Sequence, residues 1–394
     1  MKNFTFQNST RIIFGKGVEE KTGEEVSKFS DRILFLYGGG SIKDHGIYDK
    51  VMESLSESGI DVVELGGVKP NPRLNLVKEG IELCRKEDLK FILAVGGGSV
   101  IDTAKAISIG VPYEGDVWDF YAEDKKVEEA LPTGVVLTIP AAGSETSPGS
   151  VITKEEGGYK RDVGSNKLRP EFAVLNPEFT YTLPNFQTAA GAADIMAHVM
   201  ERYFTHETDV GFTDRLCEAT LRTVIKNAPI ALREPKNYGA RAQLTWASTV
   251  AHNDLLGTGR EEDWASHDIE HELSGKYDVT HGAGLAIIFP AWMRYVYEES
   301  PESFAQFTAR VWNGETNFNS LKSSAREGIR KLEQFFERIG LPTRLDDLDV
   351  NVTEADKAEM ADKCTERGPV GNFVKLDRDD VLAIYRLATR TKDN

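Results

Sequence analysis

Two short apolar runs, Ile33-Leu34-Phe35-Leu36-Tyr37 and Phe91-Ile92-Leu93-Ala94-Val95, each lead directly into a glycine tract: Gly38-Gly39-Gly40-Ser41 and Gly96-Gly97-Gly98-Ser99. Uninterrupted apolar runs of this length suit strands buried on both faces, which belong to parallel sheets. Parallel neighbours need crossover connections, and helical patterns over about 47–58 and 74–86 supply them. Val62-Val63-Glu64-Leu65, Val135-Val136-Leu137-Thr138-Ile139 and Phe172-Ala173-Val174-Leu175 read as further strands, and residues 3–14 as a hairpin turning at Asn8-Ser9-Thr10. The alternation predicts an α/β domain with a mainly parallel sheet over residues 1–184. Beyond Leu183-Pro184 the period becomes helical, with segments starting at about 187, 210, 237, 262, 283, 301, 319, 353 and 378. Residues 185–394 are therefore expected to form an all-helical second domain.

With 394 residues the chain is long enough for two cores. Its 63 acidic against 47 basic residues give a net charge of −16, which argues against nucleic acid and anionic membranes as partners. No apolar run reaches membrane-spanning length, and the alternating start Met1-Lys2-Asn3-Phe4-Thr5-Phe6-Gln7 lacks the apolar core of a signal peptide. Cys84, Cys217 and Cys364 are odd in number and far apart, as expected of reduced thiols. A cytoplasmic protein is the expectation.

A glycine tract between a buried strand and a helix suits a phosphate. The backbone can approach closely, and the helix start offers N–H groups and a positive dipole end. Ser99 can cap the helix that begins at Val100, with Asp102 and Lys105 facing the same loop end. Around the first tract no carboxylate occurs before Asp44, while Ser41 and Lys43 are at hand. Small and basic residues accommodate a 2′-phosphate where an acidic one would hold the ribose hydroxyl, so this loop favours NADP(H) over NAD(H). Neither loop is a G-x-G-x-x-G fingerprint. The stretch Thr138-Ile139-Pro140-Ala141-Ala142-Gly143-Ser144-Glu145-Thr146-Ser147 reads equally as a phosphate or ribose wall and as a solvated loop.

In the helical half, Trp264-Ala265-Ser266-His267-Asp268-Ile269-Glu270-His271 is followed by His281-Gly282-Ala283-Gly284. His267 and His271 stand four apart and share a helix face, as do Asp194 and His198 upstream. His281 follows an expected helix end at Ser274-Gly275-Lys276 and can fold back towards them. One carboxylate with several imidazoles is a donor set for a divalent cation such as Fe(II) or Zn(II).

Taken together, these motifs resemble the iron-containing (group III) alcohol dehydrogenase family, most of all its butanol dehydrogenase and NADPH-dependent aldehyde reductase branch. The resemblance is carried by Gly38–Ser41, Pro70-Asn71-Pro72, Gly96–Lys105, Gly143-Ser144-Glu145, Asp194-x-x-x-His198, His267-x-x-x-His271 and His281-Gly282. It implies a dehydroquinate-synthase-like fold whose α/β domain binds the dinucleotide and whose helical domain binds the metal. The implied metal ligands are Asp194, His198, His267 and His281, with His271 a proton shuttle near the substrate. Implied cofactor contacts are Gly38, Gly39, Ser41, Asn71, Gly97, Gly98, Ser99, Asp102, Thr138, Ser147 and Lys160. A homodimer is implied as well. Ala141-Ala142 departs from the pattern, where relatives often carry a threonine, and leaves one hydroxyl contact open.

The implied reaction is hydride transfer between NADP(H) and a small aldehyde or primary alcohol, with the carbonyl oxygen activated by a divalent metal in the interdomain cleft. Three rivals compete. His267-Asp268-Ile269-Glu270-His271 is formally the H-x-x-E-H of one class of zinc peptidases, a reading that gives the glycine tracts and Asp194/His198 no purpose. Tyr121-Ala122-Glu123-Asp124-Lys125 has the Tyr-x-x-x-Lys spacing of short-chain dehydrogenases but lies in a charged stretch. A redox sensor that binds nucleotide without turnover would need no metal ligands.

Overall fold

The computed structural model describes residues 1–123, 125–317 and 319–389. In chain order the first half comprises β1 (Arg11–Phe14), α1 (Thr22–Val26), β2 (Arg32–Tyr37), α2 (Ser41–Asp44), α3 (Ile47–Glu57) and β3 (Asp61–Leu65). These are followed by α4 (Leu74–Glu87), β4 (Ile92–Gly96), α5 (Gly98–Gly110), α6 (Asp119–Ala122), β5 (Thr133–Leu137), β6 (Gly149–Lys154), β7 (Tyr159–Gly164) and β8 (Phe172–Leu175). Six strands form one wholly parallel sheet in the order β1-β8-β5-β4-β2-β3.

The side-chain alternation of β2, β4, β5 and β8 explains why their sequences are apolar throughout. Leu34, Leu36, Ile92, Ala94, Val135 and Leu137 point to the face covered by α4 and α5 through Val77, Ile81, Ile101 and Ile107. Ile33, Phe35, Leu93, Val95, Val136 and Val174 point to the opposite face, packed on Val26 of α1 and Val51 and Leu55 of α3. Each fully buried Leu or Ile stabilises the sheet by about 1.5–3 kcal/mol.

β6 and β7 make a separate antiparallel hairpin that the sequence pattern did not reveal. The expected hairpin over residues 3–14 is absent: only Arg11–Phe14 is a strand, and it pairs in parallel with β8. Polar groups before it are engaged elsewhere. Lys2 N–H donates to the Gly259 carbonyl at 2.8 Å, and Asn8 Nδ2 donates to the Thr146 carbonyl at 3.0 Å.

The second half is helical: α7 (Asn185–Tyr203), α8 (Gly211–Arg233), α9 (Tyr238–Ala251), α10 (Ala265–Tyr277), α11 (His281–Val296), α12 (Pro301–Trp312), α13 (Leu321–Arg338), α14 (Glu354–Cys364) and α15 (Arg378–Leu387). Of these, α11 is apolar almost all round, and Leu285 to Met293 are buried, as befits a central helix. Among the described residues no helix is long and apolar enough to cross a membrane.

Two compact units result: Gln7–Leu183 with Pro235–Asn253, and Met1–Phe6 with Pro184–Glu234 and Asp254–Asn394. The division falls beside residue 184, but α9 groups with the α/β unit rather than with the other helices. The reason lies in the loop after β5. Gly143 has φ +67° there, and a Cβ on it would stand 2.5 Å from the Ser248 carbonyl oxygen of α9. Ser248 Oγ donates to the Ala141 carbonyl at 3.2 Å, and Thr249 Oγ1 to the buried Glu145 carboxylate at 2.6 Å. Gly143-Ser144-Glu145 is thus the seat of α9.

Candidate active site

In the α/β unit, β2 continues to β3 on one side while β4 returns to the other, so the strand order reverses between β2 and β4. Ligands of open α/β sheets bind beyond the carboxyl ends of the strands at such a switch point. Both glycine tracts lie there, each following one of these two strands. Gly97 precedes α5, whose first turn carries the N–H groups that a helix start leaves unsatisfied. A Cβ on Gly97 would meet Ile139 at 3.0 Å, whereas one on Gly39 would meet nothing within 4 Å. Thr138 N–H donates to the Gly96 carbonyl at 3.0 Å, which sets the start of the third loop beside the second tract. Asn71 has φ 49° between its two prolines and is buried. Lys160, on β7, is buried too.

A fully buried lysine organises the hydroxyl-rich loop. Lys105 Nζ donates to the carbonyls of Ser147 at 2.9 Å and Gly149 at 2.8 Å, and to the hydroxyls of Ser147 at 3.2 Å and Ser144 at 3.3 Å. Burial pushes its pKa down to about 8. Asp102 accepts from Ser144 Oγ at 2.5 Å and from Val151 N–H at 3.1 Å. Asp102 and Lys105, three apart on α5, therefore fix the 144–151 segment at the sheet's end. Ser41 opens α2, and Gly38 packs beside Val100 of α5.

In the helical unit, ligand atoms of Asp194 (α7), His267 (α10) and His281 (α11) all lie within 4.8 Å of one another. Asp194 and His267 are buried, and His281 is partly exposed. The His198 ring stacks edge-on at 4.5 Å from that of His267, and its Nδ1 is 2.9 Å from Asp194 Oδ1 and 3.0 Å from the Asp194 carbonyl oxygen. His271, also buried, has its ring centroid 5.6 Å from that of His281. Glu270, His271 and His281 form a second group with donor atoms inside 4.8 Å. All five residues singled out in the helical sequence thus meet at one place.

Two carboxylates that sequence reasoning passed over hold the rings. Glu201 Oε1 accepts from His267 Nδ1 at 2.7 Å and from His267 N–H at 3.1 Å, and Glu201 Oε2 accepts from Trp264 N–H at 2.8 Å. Trp264 has φ 69°, a left-handed conformation that bulky residues rarely adopt and that this contact helps hold. Glu270 plays the same part for His281, bonding its Nδ1, while Ser274 Oγ donates to the other carboxylate oxygen. An imidazole donating from Nδ1 presents the Nε2 lone pair to a cation, so the geometry selects the ligating tautomer. Burial, reinforced by the nearby Asp263 carboxylate, pushes the Glu201 pKa well up, against the pull of the Trp264 and His267 N–H groups. The signal for both was present: Glu201 and Glu270 each follow a histidine, His198 and His267, by three residues.

One carboxylate with three imidazoles in a buried cluster suits a borderline divalent cation. Residues 9–177 match the iron-containing alcohol dehydrogenase family, and residues 188–389 match the family's C-terminal domain. The chain belongs to the iron-containing alcohol dehydrogenases. A probable NADH-dependent butanol dehydrogenase of Bacillus subtilis is 46% identical, over 98% of this chain and 99% of the relative. The NADPH-dependent aldehyde reductase YqhD of Escherichia coli is 39% identical, over 88% and 89%. A crystal structure of NADH-dependent butanol dehydrogenase A from Thermotoga maritima, 40% identical and covering 99% of both chains, matches with a TM-score of 0.95. The fold is that of the family, dehydroquinate-synthase-like, and the activity is that of an NAD(P)-dependent alcohol dehydrogenase or aldehyde reductase.

The Tyr-x-x-x-Lys spacing has no such role. The Tyr121 hydroxyl is fully buried on Ser150 Oγ at 2.9 Å, and Lys125 Nζ instead donates to the Tyr113 hydroxyl. Asp124, between them, lies outside the described residues. Nor is Glu270 placed as a peptidase base, because its oxygens bond His281 and Ser274.

Proposed function

We propose that this chain is a metal-dependent oxidoreductase that transfers hydride between NADP(H) and a small aldehyde or primary alcohol. The observation that carries this reading is the cluster of Asp194, His267 and His281 donor atoms within 4.8 Å, the first two residues buried and His281 partly exposed. Asp194, His198, His267 and His281 would hold Fe(II) or Zn(II), with Glu201 and Glu270 fixing the rings. When bound, the cation supplies Lewis acidity towards a carbonyl oxygen, and the reduced nicotinamide supplies hydride to the carbonyl carbon. His271 would pass a proton from its ring to the substrate oxygen, directly or through water, imidazole being a group that both takes up and releases a proton. An aldehyde, NADPH and one proton thereby give a primary alcohol and NADP⁺.

Gly38, Gly39, Ser41, Asn71, Gly97, Gly98, Ser99, Asp102, Thr138, Ser147 and Lys160 would line the cofactor site. Ser41 and Lys43 at the first tract, with Gly39 leaving open space, favour the 2′-phosphorylated form. Relatives reported above carry both NADH and NADPH in their names. A cytoplasmic homodimer completes the reading.

The decisive experiment is NADPH oxidation with butanal by native protein, chelated protein and His267→Ala, with an NADH control. Activity lost on chelation, restored by Zn(II) or Fe(II) and missing in the variant is expected. Turnover that survives both chelation and His267→Ala would sink the metal reading.

A further inference from the structure

The loop that follows β2 carries a cation already engaged by a carboxylate from the neighbouring strand. Lys43 Nζ lies 3.3 Å from Glu64 Oε2 and sits over the rings of Tyr48 and Tyr37, at 4.4 and 4.8 Å from their centroids. The Tyr48 hydroxyl donates to Glu64 Oε1 at 2.7 Å, so both carboxylate oxygens have partners. Backbone contacts tie β3's end to the same loop: Gly67 N–H donates to the Gly38 carbonyl at 2.8 Å, and Val68 N–H to the Tyr37 carbonyl at 3.3 Å. The ammonium is thereby held at the first glycine tract, with a negative charge beside it that the tract itself lacks.

We propose that Glu64 sets how strongly the chain prefers the phosphorylated cofactor, by competing with the 2′-phosphate for Lys43. The inference rests on the reading above that this loop receives the adenosine ribose. A 2′-phosphate is close to a dianion at neutral pH, and a cation is its natural partner. With Glu64 ionised, the Lys43–Glu64 pair is neutral, so the phosphate must draw Lys43 away from Glu64 or accept repulsion from it. A bare 2′-hydroxyl meets no such opposition and can donate to the carboxylate, as ribose hydroxyls do in NAD sites. One pair of residues therefore narrows the gap between the two cofactors. The Glu64 carboxylate is favoured in its charged form by the Tyr48 and Lys43 hydrogen bonds, which outweigh its partial burial.

The pair is half exposed, with side-chain exposures of 44% for Lys43 and 36% for Glu64, so a change to an isosteric amide is compatible with the fold. The test compares KM and directly measured Kd for NADPH and NADH in wild-type protein, Glu64→Gln, Lys43→Met and the double variant. Asp44→Asn, which removes an equal charge from α2, serves as a control for bulk electrostatics. Glu64→Gln is expected to tighten NADPH binding by about threefold to fivefold, the range of a partly exposed ion pair, and to leave NADH equal or weaker. Lys43→Met should weaken NADPH, and the Glu64 and Lys43 effects on NADPH should be non-additive in the double variant, because the two side chains form one pair. An unchanged cofactor ratio in Glu64→Gln, or an equal shift in Asp44→Asn, overturns the proposal while a Lys43→Met effect keeps the loop assignment. If Lys43→Met and Gly39→Asp both leave the ratio unchanged, the loop is not the ribose subsite, and the assignment falls with the proposal.

Discussion

His267 Nδ1 lies 2.7 Å from Oε1 of Glu201, a carboxylate with no solvent exposure that also takes the backbone N–H groups of Trp264 and His267. One side chain from the last turn of α7 thus sets the start of α10 and the orientation of a candidate metal ligand on it. Carboxylates in this relation to ligating histidines typically change metal affinity by about 10–100-fold when removed. Glu201→Ala should weaken Zn(II) and Co(II) binding by about that factor in a chelator-competition titration. Glu201→Gln, whose carbonyl can still accept from Nδ1–H, should lose less. Equal affinity in all three proteins would show that His267 is oriented by other contacts.

Gly282, beside His281, permits the approach of α11 to α7. A Cβ there would stand 2.0 Å from the Ala190 carbonyl oxygen, a backbone atom that cannot swing aside. Gly282→Ala should therefore destabilise the protein by about 3 kcal/mol and lower its metal content, as measured by urea unfolding and metal analysis. At Gly98 a Cβ would meet only the Ala142 methyl carbon at 4.0 Å, inside a helix where alanine is favoured. Gly98→Ala should leave stability equal or raise it by about 0.5 kcal/mol. Similar losses at both glycines would mean that helix contact is not what Gly282 secures.

Legibility in the sequence followed the reach of the forces involved. Strands β2 and β4 were readable because burial on both faces removes every polar residue from runs such as Ile33–Leu36 and Ile92–Val95. The hairpin β6–β7 was not, because its buried Ile152 and Val163 alternate with the charged Lys154, Lys160, Arg161 and Asp162, of which Lys160 is itself buried. The histidines declared themselves through helical spacing, whereas Glu201 and Glu270 gained meaning only when α7, α10 and α11 met. Similarly, α9 reads as one more helix of the second half until Gly143, Ser248 and Thr249 show where it docks. Residues 3–14 misled because alternation is the property of a strand but not proof of a partner strand.

Tyr121 provides a check on the discarded short-chain reading. Its hydroxyl is buried on Ser150, and burial holds its pKa far above the usual phenol range, so it is not placed to release a proton near neutral pH. Tyr121→Phe should keep turnover within about twofold and cost about 1 kcal/mol of stability, the net worth of one hydrogen bond. Loss of activity with the fold intact would reopen the tyrosine–lysine mechanism.

Lys105 links the hydroxyl-rich loop after β5 to a distinct pH dependence of stability. Its side chain is fully buried, and its pKa is lowered by burial from 10.5 to about 8, against the pull of Asp102 and Glu145. Below pH 8 the lysine is protonated in both native and unfolded chains, and its contribution does not vary with pH. Between about 8 and 10.5 the unfolded chain keeps the proton that the native chain gives up, so the native state gains as pH rises. Measured against Lys105→Met by urea unfolding, the wild-type advantage should grow by about 2 kcal/mol between pH 8 and pH 10, given 1.36 kcal/mol per pKa unit. At pH 7 the variant should already be destabilised by about 3 kcal/mol, because Asp102 and Glu145 lose their buried counter-charge. A wild-type advantage that stays flat to pH 10 would mean that the four oxygen acceptors of Ser144, Ser147 and Gly149 keep the ammonium charged despite its burial. In that case the loop is held by a permanent cation rather than by one that titrates within the alkaline range.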